Sequence, residues 1–185
     1  MKYIIEHLEP ELHEWCLLEY KHISEIVGKN NLIFTNVKDG ADNLEGLGKV
    51  RKESIKELNF KRICILDPFA EKTLSNQDKE KFDYLIFGGI LGDYPMKKRT
   101  KAELSDKMDV EKRNIGKEQM STDTAVYVVK GIIEGKKLED FEFKDEIEIE
   151  IGEGESIQLP FRYVIINGKP LLPKGLIEHL KKHPF

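Results

Sequence analysis

An apolar, aromatic-rich segment of the chain runs directly into a cluster of glycines. The segment is 84–87, and Gly88, Gly89 and Gly92 follow it. Continuous apolar character of this length is typical of a strand that is covered on both faces, as in a parallel sheet. Glycines at the end of such a strand allow either a tight turn into a helix or the close approach of the backbone to a ligand. The glycines alone do not distinguish between these two interpretations.

Spacing excludes two common glycine-loop chemistries. A dinucleotide fingerprint that ends at Gly92 requires a glycine at the position of Phe87, and a phosphate-binding P-loop must end in Gly-Lys-Ser or Gly-Lys-Thr. Instead, Asp93 follows the glycines and Pro95 stiffens the exit from the loop. A carboxylate at this position favours a cationic or hydroxyl-rich ligand over a polyphosphate.

A second polar loop follows another apparent strand end, at Arg113. It contains Gly116 and leads into a helix that Ser121 or Thr122 can cap. Apolar residues of this helix recur at helical spacing, at positions 125, 129, 132 and 133, until Gly135 ends it. Between 119 and 124 the loop carries three hydroxyls, an amide and a carboxylate, which is more than one helix cap requires. We interpret it as a second ligand loop, with helix capping as the alternative.

Strands and helices alternate over most of the chain, which predicts a mostly parallel sheet with helices on its faces. The predicted strands are 3–6, 32–35, 63–66 and 84–87. Pro10 is expected at the first position of a helix that Gly28 ends, and a short helix is expected within 50–58. Ligands of open α/β sheets bind beyond the carboxyl ends of the strands. Asp67, directly after a predicted strand, is therefore expected to converge with the two polar loops.

The last quarter of the chain has a different pattern. Glutamates alternate with isoleucines over 146–151, which indicates an edge strand with one buried face and one charged, solvated face. Charge is also segregated, because 139–155 holds nine acidic residues and one lysine, whereas 97–117 holds eight basic residues and four acidic ones. The acidic segment suits a basic protein partner and the basic segment suits RNA phosphates, with two solvated surfaces as the simpler alternative.

Composition bounds the class of protein. A chain of 185 residues with 39% hydrophobic residues suits one domain with a substantial core. Cys16 and Cys64 are too few for a disulfide framework or a zinc site and are expected to be reduced and buried. The histidines avoid the glycine loops, with His13 and His22 expected on a helix surface, so no metal site is predicted. No apolar run approaches membrane-spanning length and no leader pattern opens the chain, so a cytoplasmic protein is expected.

Four stretches of the chain together resemble the SPOUT class of methyltransferases, and they occur in the order found in that class. The nearest branch is similar to a yeast protein arginine methyltransferase that modifies a small-subunit ribosomal protein, and to its archaeal relatives. The matching stretches are 66–68, then 87–93 with 99–100, then 113–116 with 119–125, and finally 159–163. Because they span most of the chain, the resemblance is more specific than any single glycine motif.

The resemblance implies an α/β fold, with a SPOUT-like, mostly parallel sheet, a C-terminal trefoil knot and a β-rich C-terminal extension. The chain would form one methyltransferase domain over 1–185, with the knotted core over about 1–137 and the extension over 138–185. The local pattern itself reveals no knot, which chains rarely form. The extension is expected to cover the surface through which many SPOUT proteins dimerise, which favours a monomer over a homodimer.

The resemblance also implies a cofactor, S-adenosylmethionine, held by the knotted loops without a metal. The residues expected to bind the cofactor are Leu66, Asp67, Pro68, Gly88, Gly89, Ile90, Leu91, Gly92, Asn114, Ile115, Gly116, Gln119, Met120, Ser121, Thr122, Thr124 and Ala125.

Methyl transfer to arginine requires a carboxylate, because the guanidinium is protonated and must lose a proton as its nitrogen attacks. Asp93, directly after the glycines, is the first candidate, followed by Asp123 and Glu118. If the substrate is instead rRNA or tRNA, Arg99 or Arg113 would assist attack by a ribose hydroxyl. The resemblance favours an arginine of a small-subunit ribosomal protein. The alternatives are an RNA methyltransferase and a non-catalytic, cofactor-binding ribosome-assembly protein.

Overall fold

The structure of the protein is a computed structural model that describes residues 1–92, 95, 97–152 and 154–183. Asp93, the first candidate for the catalytic carboxylate, lies outside the described residues. The strands are β1 Lys2–His7, β2 Leu32–Thr35, β3 Lys49–Val50, β4 Ile63–Leu66, β5 Tyr84–Gly89, β6 Glu111–Arg113, β7 Phe143–Gly152, β8 Glu155–Ile166 and β9 Lys169–Pro170. The α-helices are α1 Glu14–Val27, α2 Arg99–Glu103, α3 Thr122–Ile133 and α4 Leu176–Lys182.

Strands β1 to β6 form one parallel sheet in the order β3-β2-β1-β5-β4-β6. All four strands predicted for it are present, and β1 and β5 are slightly longer than expected. Successive side chains point to opposite faces, so Ile5 and Phe34 are buried on the side of α1, whereas Ile4 and Ile86 are buried on the other side. Burial on both faces explains the continuous apolar character of these strands, and the mostly parallel sheet is confirmed.

Helix α1 begins at Glu14, so the predicted start at Pro10 is wrong. Bonds to other elements hold the preceding segment out of a helix. The backbone N–H of Leu8 donates to the end of β5, and the carboxylate of Glu9 accepts an N–H from the loop after β5. These tertiary bonds outweigh the local preference of proline for a first helical turn. The buried face of the helix is as predicted and contains Cys16, Tyr20, Ile23 and Val27.

The segment expected to contain a short helix within 50–58 contains no α-helix. β3 pairs with β2 at this place, and the backbone pairing continues through Arg51. Only Ile55–Glu57 turns, as one 3₁₀ helix capped by Ser54. Glu6, a buried carboxylate of β1, accepts hydrogen bonds from the Ser54 hydroxyl and from the first N–H of the turn. The predicted helix is therefore limited to this 3₁₀ turn, which follows the short strand β3 and is anchored by a buried acid.

The C-terminal extension forms a second sheet, which is antiparallel and has the order β7-β8-β9. The isoleucines of β7 are buried or partly buried and its glutamates are exposed, which confirms an edge strand with one charged face. Leu176 and Leu180 of α4 close an apolar cluster under this sheet together with Trp15 and Leu18 of α1. Helix α1 therefore packs against both the parallel sheet and the extension.

Both cysteines are buried and free, as predicted. Within the described residues, no helix combines the length and the apolar character needed to cross a membrane.

Candidate active site

A cavity opens at the carboxyl ends of β4, β5 and β6, where the loops that follow these strands approach one another. The space between them is about 850 Å³, a volume that includes open solvent. The predicted convergence of the loops is therefore observed. The lining residues are Leu66, Asp67, Pro68, Phe69, Phe87, Gly88, Ile90, Gly92, Lys97, Lys98, Arg99, Thr100, Lys101, Ile115, Gly116, Glu118, Gln119, Met120, Thr122 and Ala125.

Asp67 shapes the loop after β4 and is itself buried. Its Oδ1 accepts the N–H of Phe69 at 2.9 Å, and its own N–H donates to the carbonyl oxygen of Arg113 at 2.9 Å. The side chain thus stabilises its own turn, and the backbone joins the loop to β6. The ring of Phe69 is exposed at the cavity, and the Nζ of Lys98 lies 4.6 Å from its centroid, which places a cation at the rim.

Gly88 and Gly92 allow the loops around the cavity to pack closely. A Cβ atom at Gly88 would lie 2.9 Å from the hydroxyl oxygen of Thr100. A Cβ atom at Gly92 would overlap the side-chain amide of Gln119 and would lie 2.7 Å from ring atoms of Phe161. A side chain at either position would force its neighbours to shift, and glycine avoids this cost.

Gly89 has a different role, because it faces α1 and does not line the cavity. A Cβ atom there would overlap the hydroxyl of Tyr20, which lies 2.8 Å from Nδ1 of His7. Burial raises the pKa of Tyr20 and lowers the pKa of His7, so both groups stay neutral at physiological pH. Gly89 therefore lets a helix carrying a buried tyrosine lie against β5.

Asn114 joins two loops and does not line the cavity. Its Nδ2 donates to the carbonyl oxygen of Ala70 at 2.8 Å, and its Oδ1 accepts from the hydroxyl of Thr73 at 3.2 Å and from the N–H of Gly116 at 3.1 Å. Gly116 has a φ of 102°, in the left-handed region that favours glycine. Asn114 thus positions the wall formed by Ile115 and Gly116.

The start of α3 forms the opposite wall of the cavity. The hydroxyl of Thr122 donates to the carbonyl oxygen of Gly88 at 3.4 Å, which links this wall to the end of β5. Ser121 occupies the cap position, but its hydroxyl donates to the hydroxyl of Thr124 at 2.9 Å and makes no capping bond to the backbone. Ser121 and Thr124 therefore stabilise the start of the helix without lining the cavity.

Asp123 is fully buried behind this wall. Its Oδ2 lies 2.7 Å from Nδ1 of His22, whose side chain is only 11% exposed, so the expectation that His22 lies on a helix surface is wrong. Its Oδ1 has no hydrogen-bond partner within the part of the chain that the structure describes. Asp123 thus fastens α3 to α1, and it does not line the cavity.

Glu19 is a second buried carboxylate in the same region. Its Oε1 accepts the Nε1–H of Trp15 at 2.9 Å. Burial, reinforced by the negative charge of Asp123, raises the pKa of Glu19 well above its ordinary value, although hydrogen bonds from Trp15 and Thr122 act in the opposite direction. Glu19 was not predicted from the sequence as a functional residue. Glu19 lies beside Tyr20 on the buried face of α1, so the helical pattern of the sequence could have identified it as a buried carboxylate.

Arg99 lines the cavity, but its guanidinium is bound by protein groups. One terminal nitrogen donates to Glu9 at 2.7 Å, the other donates to the carbonyl oxygen of Leu8 at 2.9 Å, and Nε donates to Glu103 at 3.0 Å. The same carboxylate oxygen of Glu9 accepts the N–H of Leu91 at 3.0 Å. The Arg99–Glu9 pair therefore fastens the loop after β5 to the end of β1.

The structure brings most of the predicted cofactor residues together. Those that line the cavity are Leu66, Asp67, Pro68, Gly88, Ile90, Gly92, Ile115, Gly116, Gln119, Met120, Thr122 and Ala125. Those that do not line it are Gly89, Leu91, Asn114, Ser121 and Thr124. Of the catalytic candidates, Arg99 and Glu118 line the cavity and Asp123 does not.

Several lining residues were not predicted as site residues, namely Phe69, Phe87, Lys97, Lys98, Thr100 and Lys101. Phe69 and Phe87 each adjoin a residue that was predicted, and the lysines belong to the basic segment that was noted only for its charge. Ligands of such sheets bind beyond the carboxyl ends of the strands, so the distance of each residue from the end of its strand could have identified it as a lining residue.

Comparison with known proteins agrees with this geometry. Residues 2–184 match the family described as protein arginine N-methyltransferase SFM1-like. The chain is 40% identical over 203 aligned positions to protein arginine N-methyltransferase SFM1 of Saccharomyces cerevisiae, with 98% of this chain and 95% of that protein covered.

Solved structures show the same relationship. The fold is similar to the crystal structure of the yeast arginine methyltransferase SFM1 complexed with SAH, with a TM-score of 0.88 and 36% identity over 97% of this chain and 94% of that one. A Trm10 from Thermococcus kodakaraensis is similar in fold alone, with a TM-score of 0.61 and 20% identity over 75% of this chain and 95% of that one. The predicted resemblance is confirmed, and the chain belongs to the SFM1-like family of protein arginine N-methyltransferases.

Proposed function

We propose that this protein transfers a methyl group from S-adenosylmethionine to an arginine of a protein substrate. The observation that carries the proposal is the cavity at the carboxyl ends of β4, β5 and β6, in a chain that belongs to the SFM1-like family. Structures of the yeast relative are described as complexes with SAM and with SAH, the substrate and product forms of the cofactor.

The lining of the cavity suits this cofactor. Leu66, Ile115 and Met120 offer apolar surface for the adenine ring, and the backbone at Gly88 and Gly116 is accessible because no side chain intervenes. When bound, S-adenosylmethionine supplies a methyl group on a sulfonium centre. The task of the protein is then to align an arginine with that centre and to accept its proton.

We also propose that the loops around the cavity form the C-terminal trefoil knot of SPOUT proteins, within a single domain that spans 1–185. The close packing of these loops supports the proposal. Gly88 lies against Thr100, and Gly92 lies against Gln119 and Phe161, so side chains from three other places in the chain pack directly on the end of β5 and the loop after it.

Among the described residues, Glu118 is the carboxylate best placed to accept the proton of a substrate guanidinium. Glu118 lines the cavity and is exposed, whereas the carboxylate of Asp67 is buried and bonded to its own turn. Asp93 follows Gly92 directly in the chain and stays the other candidate. Asp123 lies behind the cavity wall, so we assign it to positioning α3 rather than to the proton transfer.

A basic substrate, such as a small-subunit ribosomal protein, is supported by the charge of the extension. Glu146, Glu148 and Glu150 are exposed on β7. The partner strand β8 carries Phe161, which lies against Gly92 at the cavity. The charge on this face would steer the approach of a basic protein to the extension. Such a substrate would place the activity in the cytoplasm.

RNA methylation is the weaker proposal, because both arginines that it would use are engaged. Arg99 is bound by Glu9, Glu103 and a backbone carbonyl. The side chain of Arg113 is only 4% exposed and donates to Asp78 at 3.1 Å. Neither guanidinium is available to assist a ribose hydroxyl without breaking these bonds.

Labelled methyl transfer tests the function. The protein is incubated with S-adenosylmethionine labelled in its methyl group and with ribosomal material from its own organism. The expected label survives nuclease, disappears with protease and maps by mass spectrometry to monomethylated arginine. Label that disappears with nuclease would assign an RNA substrate instead, and binding of the cofactor without any transfer would indicate an assembly protein.

We propose that the protein acts as a monomer, since the extension packs on α1 through the apolar cluster of Trp15, Leu18, Leu176 and Leu180. Light scattering of the purified protein should give a mass near the chain mass of 21.4 kDa.

A further inference from the structure

Three possible metal ligands meet outside the cavity, where the end of α4 approaches the start of α1. They are Glu14, His179 and His183, and their ligand atoms all lie within 4.8 Å of one another. None of the three lines the cavity. They belong to segments that are distant in the sequence, and the packing of α4 against α1 brings them together.

The two histidines are spaced for joint binding. Positions four residues apart in a helix share one face. The N–H of His183 donates to the carbonyl oxygen of His179 at 3.0 Å, which preserves this relation at the end of α4, and the two ring centroids are 4.9 Å apart. A pair of histidines on one helical turn is a recurrent metal-binding arrangement.

Glu14 and His179 are already separated by the distance expected of two ligands of one metal ion. The Oε2 of Glu14 lies 3.3 Å from Nδ1 of His179. Two ligands that each lie about 2.0–2.1 Å from a tetrahedral zinc ion are roughly 3.3–3.4 Å apart. His183 and Glu14 are exposed, so their side chains can adjust to complete the site.

The ordinary alternative is an ion pair between Glu14 and His179. An ion pair leaves two observations unexplained. Nδ1 of His179 is buried, and its 3.3 Å contact with Glu14 lacks the geometry of a hydrogen bond, so the atom makes none within the described residues. In addition, an ion pair gives no role to His183, whose ring lies beside that of His179. A shared metal ion accounts for both observations.

We propose that Glu14, His179 and His183 bind one divalent transition-metal ion, with zinc as the best match. Two imidazoles and one carboxylate form a known zinc donor set, with a water molecule in the fourth position. Magnesium and calcium prefer sites made entirely of oxygen, so this site discriminates against them. The ion fastens α4 to α1 and is separate from the site of methyl transfer.

Zinc titration of the full chain, with any affinity tag removed, tests the proposal. Competition with a chromophoric chelator should show one equivalent of bound zinc, and cobalt should give the visible absorption of a tetrahedral site. His183→Ala and Glu14→Gln should each lower the affinity by more than about tenfold, the loss that even an outer-shell partner can cause. Both positions are exposed, so both variants are expected to fold.

The control is Glu178→Gln, which removes an exposed carboxylate next to His179 on the same helix and should bind zinc like the parent. Zinc should raise the melting temperature of the parent and of the control but not that of His183→Ala, because a ligand that binds only the folded state stabilises it. Equal zinc affinity in the parent and in His183→Ala would overturn the proposal. So would the absence of zinc binding by the folded parent.

Discussion

The backbone N–H of Arg162 donates to the carbonyl oxygen of Gln119 at 2.8 Å, so β8 of the extension is bonded directly to a loop that lines the cavity. The side chain of Arg162 is fixed in turn by Asp145, with two N–O distances of 2.6 and 2.9 Å. The extension therefore contributes to the shape of the candidate active site. A substitution in β7 or β8 is therefore expected to alter the conformation of the loops that line the cavity.

Cofactor affinity should depend on Gly92. Gly92→Ala is expected to weaken binding of S-adenosylhomocysteine by about tenfold or more, because overpacking of this kind costs roughly 1–3 kcal/mol and the new methyl group would overlap Gln119 and Phe161. Titration calorimetry measures the effect. Gly152→Ala is the matched control, since a Cβ atom there would meet nothing closer than 3.4 Å. Unchanged affinity in Gly92→Ala would show that the loop can relax.

Gly89→Ala should lower stability rather than cofactor affinity. Its methyl group would overlap the hydroxyl of Tyr20, on the side of β5 that faces α1. We expect a lower melting temperature and nearly unchanged binding of S-adenosylhomocysteine in the folded variant. A large loss of affinity without a loss of stability would place Gly89 at the cofactor after all.

Substitution should show which carboxylate, Glu118 or Asp93, accepts the proton of the substrate. Asp93→Asn and Glu118→Gln each preserve shape and remove an anionic acceptor. The variant of the true catalytic carboxylate should lose about 10²–10⁴-fold in turnover, while cofactor affinity changes little. Glu139→Gln, in the acidic segment of the extension, serves as the control for a general loss of charge. Full activity in both site variants would refute this assignment.

The Arg99–Glu9 pair should support cofactor binding. Arg99→Ala and Glu9→Ala are each expected to weaken it by about five- to a hundredfold, because each variant leaves a charged, partly buried partner without its bond. The double variant should be little worse than either single one, since both substitutions break the same link. Loss of activity in Arg99→Ala alone, with Glu9→Ala unaffected, would favour a direct catalytic role for Arg99.

Glu19→Gln should make stability less dependent on pH. In the folded protein burial and Asp123 raise the pKa of Glu19, so the carboxyl holds its proton above the pH at which the unfolded chain releases it. The stabilising contribution of Glu19 is therefore complete below about pH 4.5 and declines as the pH rises. Glutamine mimics the protonated form and can still accept from Trp15.

Melting temperatures of Glu19→Gln and of the parent, compared at pH 5 and at pH 8, check this sign. The variant should gain stability relative to the parent, and the gain should be larger at pH 8. A gain that is larger at pH 5 would show that Glu19 is ionised in the folded state.

Local patterns in the sequence were sufficient for much of the fold. The strands at 32–35 and 63–66 and the charged edge strand β7 appear where expected. Burial on one face gives an alternating apolar pattern and burial on two faces gives a continuous one, so both kinds of strand can be recognised in the sequence. The cavity loops were also predictable, since polar residues and glycines follow the ends of parallel strands.

Contacts between distant residues decided the rest. Helix α1 starts at Glu14 because bonds through Leu8 and Glu9 hold the preceding segment to β5 and its loop. Asp123 lies outside the cavity and His22 lies away from the surface, contrary to prediction, because the packing of α1 against α3 pairs the two residues. The grouping of Glu14 with two histidines of α4 has the same origin. A pattern of residues records which face is buried, whereas the partner of a buried polar group is set by which elements pack together.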